Sequence, residues 1–324
     1  MTAAAEKVSQ LGRLSESEAA EVARLVDAVA DADGVSPVNE HVLLHLRHGG
    51  DVESSNFLLR AADGTLAGYA HLDPTDPIAG PAAELAISPD HRGQGLGRLL
   101  LRVVEQASPD GRLRLWAHGA HSGAEALAVS AGYSRTRVLW QMRKSLLAHL
   151  PPLEIPDGAR FRQFQPGSDE AAWTALNNAA FAEHPDQGGW SEQDILLREK
   201  EPWFDPAGFL LAERASSTDE AGLDGKPDLL GFHWTKIHGS LPAQHGSGTH
   251  AHEPIGEVYV LGVHPSVRGM RLGPALTIAG LRYLRSRGLG QVMLYVDESN
   301  TAAISIYSGL GFTRWDTDVS YTRD

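Results

Sequence analysis

Two short segments carry the residue types that hold phosphate groups. Residues 92–97 read Arg-Gly-Gln-Gly-Leu-Gly and residues 268–273 read Arg-Gly-Met-Arg-Leu-Gly, each after an apolar run. Backbone N–H groups at a turn that opens a helix have no partner within that helix, and glycine has no Cβ to block a ligand. Each segment therefore predicts an anion-binding turn between a strand and a helix. The plainer alternative is a tight strand-to-helix connection.

The same spacing excludes two nucleotide-binding motifs. In residues 93–97 the third glycine comes one position too early for the dinucleotide pattern G-x-G-x-x-G. A Gly-Lys-Ser/Thr sequence follows neither segment, so the phosphate loop of a nucleoside triphosphatase is excluded as well.

Glu257 and Tyr307 are the candidate proton acceptor and proton donor. A carboxylate accepts a proton from an amine directly or through one water, and a phenol with an ordinary pKa of about 10 can donate one. Since side chains alternate along a strand, we expect one face to carry Glu257, Tyr259, Leu261 and Val263. Each residue also has a plainer interpretation. Glu257 could be a solvated acid at a strand edge, and Tyr307 could be an aromatic residue packed on a helix.

These residues lie in an internal duplication. Residues 85–97 match residues 261–273 without a gap, and residues 130–135 match residues 309–314 in the same order. The period is too long for a solenoid, so the duplication of a whole domain explains the match.

A proline-rich segment separates the two copies. Residues 150–158 contain three prolines, which neither a helix nor a central strand accommodates. We therefore expect a first domain over residues 1–149, a linker over 150–158 and a second domain over 159–324.

Local patterns predict the elements that position the motifs. Ser15 and Glu18 form a capping box, and apolar residues recur at helical spacing from Val22 to Val29. Further helices are predicted at 98–106, 169–181 and 274–286, and strands at 56–60, 66–72, 84–87, 112–118, 209–213, 229–236, 257–263 and 291–296. This order predicts an α/β fold with a mixed (α+β) sheet in each half.

Composition excludes several classes of protein. The chain of 324 residues has no cysteine, which excludes a disulfide framework, a thiolate zinc site and a cysteine nucleophile. Its net charge of −13 argues against nucleic-acid binding. No apolar run approaches the roughly 18 residues of a membrane helix, and residues 1–10 lack a signal-peptide pattern. We therefore expect a cytoplasmic protein with no nucleic-acid or membrane partner.

The glycine segments resemble those of the GCN5-related N-acetyltransferases, the GNAT superfamily. Their acetyl-CoA pyrophosphate loop reads Q/R-x-x-G-x-G/A after a strand, and residues 92–97 fit it completely. In the second half Arg268 and Gly273 fit, but Arg271 stands where the middle glycine is expected. The departure leaves the backbone N–H in place and adds a guanidinium charge.

A second family marker, Asn-x-x-Ala-x-x-x-Tyr-x-x-x-Gly-Phe, is matched position for position by residues 300–312. The resemblance implies two tandem GNAT domains with acetyl-CoA as cosubstrate and no metal. The cofactor-binding residues that it implies are Leu85, Ala86, Ile87, Arg92, Gly93, Gln94, Gly95, Leu96, Gly97, Arg98, Leu261, Gly262, Val263, Arg268, Gly269, Met270, Arg271, Leu272, Gly273, Pro274, Asn300, Thr301, Ala302, Ala303, Ile304 and Ser305.

The two copies differ at the candidate catalytic positions. Gap-free alignment places Pro81 opposite Glu257 and Ala128 opposite Tyr307. We therefore predict that the second half is catalytic and that the first is a degenerate copy. The first half would bind CoA unproductively or form a wall of the substrate site.

The whole chain resembles the mycothiol synthase family, the tandem-domain acetyltransferases of actinobacteria. The most specific similarities are at residues 36–40, 184–190, 201–208 and 256–263, outside the CoA markers. The resemblance implies direct acetylation of the cysteinyl amine of cysteinyl-glucosaminyl-inositol, a small thiol–sugar–inositol substrate. We also expect the protein to be a monomer.

The substrate contacts implied by this resemblance are Glu40, Asp186, Lys236, Glu257 and Tyr295. For Glu40 and Asp186, a solvated loop acid is an equally open interpretation. Two other functions remain open. One is acetylation of a different amine, such as an antibiotic or a peptide terminus; the other is a non-catalytic acyl-CoA sensor.

Four histidines, His238, His245, His250 and His252, lie close together in a segment that contains Gly, Ser and Pro. The H-E-x-x-H pattern of a zinc helix is absent, and a loop is poorly preorganised for a metal. We interpret the segment as a solvated insertion that can border the substrate site.

Overall fold

The first helix follows directly from its sequence. α1 (Glu16–Asp33) begins after Ser15, whose hydroxyl accepts the N–H of Glu18 at 3.3 Å. The Glu18 carboxylate in return accepts the N–H of Ser15 at 2.8 Å. Gly34, with a φ of 75°, ends the helix in the left-handed conformation that glycine adopts without steric cost. The predicted capping box is confirmed.

The protein is described by a computed structural model that covers residues 7–48, 54–74, 80–119, 121–182, 189–215, 228–238 and 254–323. The chain forms two units. The first contains Met1–Trp140, Asp297–Ser299 and Asp316–Asp324, and the second contains Gln141–Val296 and Asn300–Trp315. The chain therefore passes into the second unit after Trp140, and the predicted linker, residues 150–158, lies within that unit.

The described residues contain the following helices and strands. The further helices are α2 (Glu40–His48), α3 (Leu96–Ala107), α4 (Ser122–Ser130), α5 (Glu170–Ala180), α6 (Glu192–Arg198), α7 (Leu272–Ser286) and α8 (Thr301–Gly309). The strands are β1 (Lys7–Leu11), β2 (Ser55–Arg60), β3 (Leu66–Asp73), β4 (Ala82–Ile87), β5 (Arg114–Ala117), β6 (Ser134–Ser145), β7 (Ala159–Gln163), β8 (Phe209–Arg214), β9 (Leu229–His238), β10 (Ile255–Val263), β11 (Gln291–Asp297) and β12 (Thr313–Thr322). In this part of the chain, none of the helices combines the length and apolar character that a bilayer crossing requires.

The first unit is built on a mixed sheet. Its strands follow the order β1-β2-β3-β4-β5, β12 lies antiparallel beside β5, and β4 and β5 are parallel. Alternate side chains of β2 face opposite layers of helices: Leu58 packs with Val22 of α1, and Phe57 packs with Leu100 of α3. The glycine segment joins β4 to α3, as predicted.

The second unit repeats this plan. Its strands follow the order β11-β10-β9-β8-β7, and β10 and β11 are parallel. Trp173 of α5 and Ile195 of α6 pack with Trp234 on one face of the sheet, while Leu276 of α7 packs with Leu230 on the other. The mixed sheets confirm the predicted fold class.

A β-bulge interrupts β10 beside Glu257. Glu257 pairs with Lys236 of β9, but Val260 pairs with Trp234, so the register slips by one residue at Tyr259. Lys236 and Trp234 are two residues apart on a regular strand and share a face. Glu257 and Val260 therefore share that face too.

The bulge overturns one expectation from the sequence. Val260 belongs to the apolar cluster that α5 and α6 cover, whereas Leu261 and Val263 pack in the cluster that contains α7. Glu257 thus faces away from Leu261 and Val263, and the prediction of a face shared with them is wrong. Tyr259 does lie on the side of Glu257, because its ring packs in the same cluster as Val260 and is 5.2 Å from Nζ of Lys236. One inserted residue reverses the alternation beyond it.

Candidate active site

The glycine segment of the first unit forms a tight turn. Gly93 and Gly95 have φ values of 73° and 83°, in the left-handed region that favours glycine. The Arg92 guanidinium donates to both carboxylate oxygens of Asp33 at 2.7 and 2.8 Å and to the Ile87 carbonyl at 3.2 Å. Arg92 therefore ties the turn to the end of α1 and to β4.

The second unit keeps this turn without the middle glycine. Gly269 has a φ of 93°, and Arg271, which precedes α7, has a φ of 58° and a ψ of 23°. Among the residues described, Arg271 is the only non-glycine with a positive φ. A left-handed residue with a Cβ costs about 1 kcal/mol, so the surrounding turn imposes this conformation.

Both turns fit a diphosphate. Neither α3 nor α7 receives a hydrogen bond from a side chain at its N-cap, so the first-turn N–H groups keep their capacity to donate. A Cβ added at Gly95 or at Gly269 would meet no atom within 4 Å, which leaves open space beside the backbone. The helix dipole adds partial positive charge at the same place.

Glu257 is a buried carboxylate, and one of its two oxygens forms a hydrogen bond. Its side chain is 9% exposed, and its Oε2 lies 2.6 Å from Nε2 of His238. Among the described residues nothing donates a hydrogen bond to Oε1 of Glu257. Sequence reasoning did not assign His238 to this position, although its spacing from Lys236 on one strand places both side chains on the face of Glu257.

Lys236 lies in an aromatic environment beside Glu257. Its Nζ is 4.5 Å from the ring centroid of Trp203 and 5.2 Å from that of Tyr259. Such contacts stabilise an ammonium group by about 1 kcal/mol or more where water is excluded. The Tyr259 hydroxyl accepts a hydrogen bond from Arg198 at 2.8 Å, which fixes one wall of this environment.

Tyr307 lies on α8 and is held at the helix end. The Phe312 N–H donates to the Tyr307 carbonyl at 3.0 Å, and Gly311, with a φ of 88°, allows the chain to turn back. The two rings lie edge to face with centroids 5.7 Å apart. Burial raises the pKa of Tyr307 to about 12, so the phenol keeps its proton at neutral pH.

Asn300 has a structural role that the family marker did not reveal. Its side-chain oxygen accepts the N–H of Ala303 at 3.1 Å and so caps α8. In the first unit His121 caps α4 in the same manner, because its Nδ1 accepts the N–H of Gly123 at 3.1 Å. The two capping residues are those that the internal duplication aligns.

Strand pairing changes the alignment of the two units at Glu257. Lys236 pairs with Glu257, and Asp73, at the corresponding position of β3, pairs with Ala82. Because the bulge adds one residue to β10, the counterpart of Glu257 is Ala82 and not Pro81. The gap-free alignment is thus corrected, and the first unit still has no carboxylate at this position.

The first unit nevertheless has a buried carboxylate farther along β4. Glu84 accepts the Asn39 N–H at 2.6 Å and lies 3.5 Å from Nε2 of His118. Nδ1 of His118 lies 3.0 Å from Asp318. Although burial lowers the pKa of His118, the hydrogen bond to Asp318 and the nearby Glu84 carboxylate raise it to about 10, so this histidine is charged at neutral pH.

Comparison with known proteins agrees with this geometry. The model of the acetyltransferase (GNAT) family matches the chain twice, at residues 29–133 and 173–312. The chain belongs to the GNAT family. It is therefore an acetyl-CoA-dependent N-acetyltransferase with two tandem GNAT domains.

Named relatives match nearly the whole chain. A mycothiol acetyltransferase of Streptosporangium roseum is 55% identical, with 98% of this chain and 99% of the relative covered. One from Acidothermus cellulolyticus is 53% identical, with 98% and 94% covered. Among solved structures, a tandem GNAT protein from the clavulanic acid biosynthesis pathway superposes with a TM-score of 0.67 at 18% identity, covering 98% of both chains, which shows the shared fold.

The remaining candidate residues of this GNAT chain lie in the following elements. Glu40 lies in the first turn of α2, in the first unit. Lys236 and Tyr295 lie in the second unit, where the Tyr295 hydroxyl accepts a hydrogen bond from Gln141 at 2.7 Å. Asp186 lies outside the described residues.

Only the beginning of the histidine-rich segment is described. His238 is described and contacts Glu257, whereas His245, His250 and His252 lie outside the described residues. Within the described ranges, no group of three or more His, Cys, Asp or Glu side chains is arranged to hold a metal ion.

Proposed function

We propose that this chain transfers acetyl from acetyl-CoA to the cysteinyl amine of cysteinyl-glucosaminyl-inositol, giving mycothiol and CoA. The observation that carries the proposal is the near-complete coverage of relatives named mycothiol acetyltransferase at more than half identity. Glu257 and Tyr307, both in the second unit, support it with the proton acceptor and proton donor that the reaction needs.

In the proposed mechanism, Oε1 of Glu257 takes a proton from the substrate amine. An α-amino group has an ordinary pKa of about 7.7–8.0, so a large fraction is already neutral near pH 8 and one carboxylate suffices. The neutral nitrogen attacks the thioester carbonyl directly. As the N–C bond forms and the C–S bond breaks, the nitrogen gives the proton that it loses to Oε1 of Glu257. Tyr307 gives its proton to the departing thiolate, because its phenol has a raised pKa and remains protonated at the pH of the reaction.

Acetyl-CoA is the acetyl donor, and the backbone N–H groups after Arg271 would hold its pyrophosphate in the catalytic unit. The glycine turn of the first unit fits the same group. Because Ala82 and Ala128 replace the acid and the phenol there, we propose that the first unit binds CoA without transferring acetyl. The proposal includes a cytoplasmic monomer that uses no metal.

The substrate carries many hydroxyl groups, which lose affinity if they are buried without partners. Lys236 and Tyr295 present polar atoms in the second unit, and Glu40 presents a carboxylate in the first. We propose these residues, with Asp186 and Glu257, as substrate contacts on the basis of the full-length resemblance.

The test is a direct assay of CoA release with acetyl-CoA and cysteinyl-glucosaminyl-inositol, followed by identification of the N-acetyl product by mass spectrometry. A panel of other amines, including aminoglycosides and peptide termini, is run at matched concentration. We expect the cysteinyl substrate to give the highest kcat/KM. Higher kcat/KM for another amine would replace the substrate assignment, and CoA binding without turnover of any amine would indicate a sensor.

A further inference from the structure

His238 forms a pair with Glu257 that the mechanism above does not use. It is the last described residue of β9 and pairs with Ile255, while Lys236, two residues earlier, pairs with Glu257. The imidazole is 35% exposed, whereas the carboxylate is 9% exposed. The pair therefore joins a buried acid to a residue that reaches solvent.

The donor in this pair is fixed by chemistry. An ionised carboxylate only accepts hydrogen bonds, so Nε2 of His238 must carry the hydrogen across the 2.6 Å contact. That bond occupies Oε2 of Glu257 and restrains rotation of the carboxylate. Oε1 then has a defined orientation and no described hydrogen-bond donor.

We propose that His238 is a positioning residue for Glu257: its Nε2–H holds one carboxylate oxygen so that the other faces the substrate amine. This inference rests on the proposed role of Glu257 as the proton acceptor. A small error in the placement of a catalytic group reduces turnover by about 100-fold. The neighbouring cation Lys236 lacks this geometric role, because its Nζ lies over the rings of Trp203 and Tyr259.

Three substitutions test the proposal. His238→Ala removes the donor, and we expect kcat to fall about 10- to 100-fold while the KM for acetyl-CoA stays unchanged. His238→Gln places an amide N–H near the position of Nε2 and should recover most of the turnover. His238→Asn is the matched control, since its shorter amide corresponds to Nδ1 and should recover little. Equal turnover in all three variants would overturn the proposal.

A double-mutant cycle separates positioning from a general effect on folding. Because His238 acts through Glu257, the Ala substitution should cause no further loss of turnover in the Glu257→Gln background. Independent, multiplicative losses would contradict the proposal. Thermal melting of each variant, compared with wild type, checks that the second unit remains folded.

The same measurements distinguish this inference from the proposed function. If Glu257→Gln keeps full turnover, the proton acceptor has been assigned to the wrong residue and the proposed mechanism fails. If Glu257→Gln is impaired but His238→Ala has wild-type kcat, the proposed mechanism stands and the positioning role of His238 is rejected.

Discussion

Each unit buries a carboxylate on its central strand, and the two carboxylates have different partners. In the first unit Glu84 accepts the Asn39 N–H and lies beside the charged His118, which also contacts Asp318. In the second unit Glu257 contacts His238 through one oxygen and keeps the other without a described donor. The difference teaches that burial alone does not make a carboxylate a base: an oxygen must remain available to the substrate.

The helices after the parallel strands show the same contrast. α4 and α8 end in the same way. The backbone N–H of Tyr133 donates to the Ala128 carbonyl, and the backbone N–H of Phe312 donates to the Tyr307 carbonyl, each at 3.0 Å. Ala128 is nevertheless buried in the core of the first unit, while Tyr307 brings a phenol to the second. The two copies therefore keep the same backbone contact at the helix end, but only the second copy has a phenol there that can donate a proton.

The largest expected effect comes from exchanging the carboxylates for amides. Glu257→Gln should lower kcat by about 10²- to 10⁴-fold and leave acetyl-CoA binding intact, because the amide cannot accept the amine proton. Glu84→Gln should leave kcat unchanged and lower the free energy of unfolding by about 2 kcal/mol, because the charged His118 loses a partner. Steady-state kinetics, acetyl-CoA titration and urea unfolding measure these effects. Similar losses of turnover in both variants would remove the distinction between the units.

The phenol on α8 gives the next effect. Tyr307→Phe should reduce kcat by about 100-fold, because the thiolate would leave without a proton donor. Tyr133→Phe is the matched control: its hydroxyl donates to Glu105 at 3.0 Å in the first unit, and its loss should leave turnover unchanged. With a pKa of about 12 for Tyr307, wild-type kcat should show no loss of this donor at alkaline pH up to about 10. A wild-type kcat in Tyr307→Phe would reject the acid role.

Each unit also buries a histidine whose pKa is lowered. Burial lowers the pKa of His71 in the first unit to about 3 and that of His233 in the second to about 4. In the unfolded chain these histidines bind protons below about pH 6.5, whereas the folded chain resists protonation. Their contribution to the free energy of unfolding is therefore fully present above that pH and is lost as the pH drops towards 3. His71→Asn should reduce this acid-induced loss by up to about 5 kcal/mol and His233→Asn by up to about 3 kcal/mol.

Urea unfolding at several pH values measures the effect, with the neutral-pH value of each variant as its own reference. For His233→Asn the amide can still donate to the Leu276 carbonyl, which Nδ1 of His233 contacts at 2.7 Å. An unchanged slope of stability against pH in both variants would show that other groups cause the acid sensitivity.

The smallest effect concerns the two phosphate turns. Arg271→Gly restores the residue type that Gly95 supplies in the first unit, and the left-handed backbone should persist. Loss of the guanidinium should weaken acetyl-CoA binding by about 3-fold at low ionic strength, and less at high salt. Calorimetric titration at two salt concentrations provides the measurement. Identical affinities in the variant and the wild type would show that the backbone alone holds the diphosphate.

Much of this arrangement could be predicted from the sequence because its signals are local. The capping box at Ser15 and the glycine turn at residues 92–97 depend on neighbouring residues, and both were found where expected. The strand before each turn and the helix after it were also predicted to within a few residues. The family and the acetyl donor followed from the same segments.

The missed features depend on contacts between distant segments. The bulge at Tyr259 is set by pairing with β9, so neither the shared face nor the counterpart of Glu257 could be inferred from alternation. The contact between His238 and Glu257 joins two strands, and the contact between Arg92 and Asp33 joins a turn to a helix. β1, β6, β7 and β12 were not predicted as strands at all.

The position of β12 has a consequence for how the protein is made. Residues 319–322 lie antiparallel to residues 114–117 in the first unit, yet the ribosome translates them after the whole second unit. Until then β5 presents an unpaired row of backbone groups, a surface on which nascent chains aggregate. The second GNAT unit can thus finish folding before the first, and cleavage between the halves would leave the amino-terminal one without a strand.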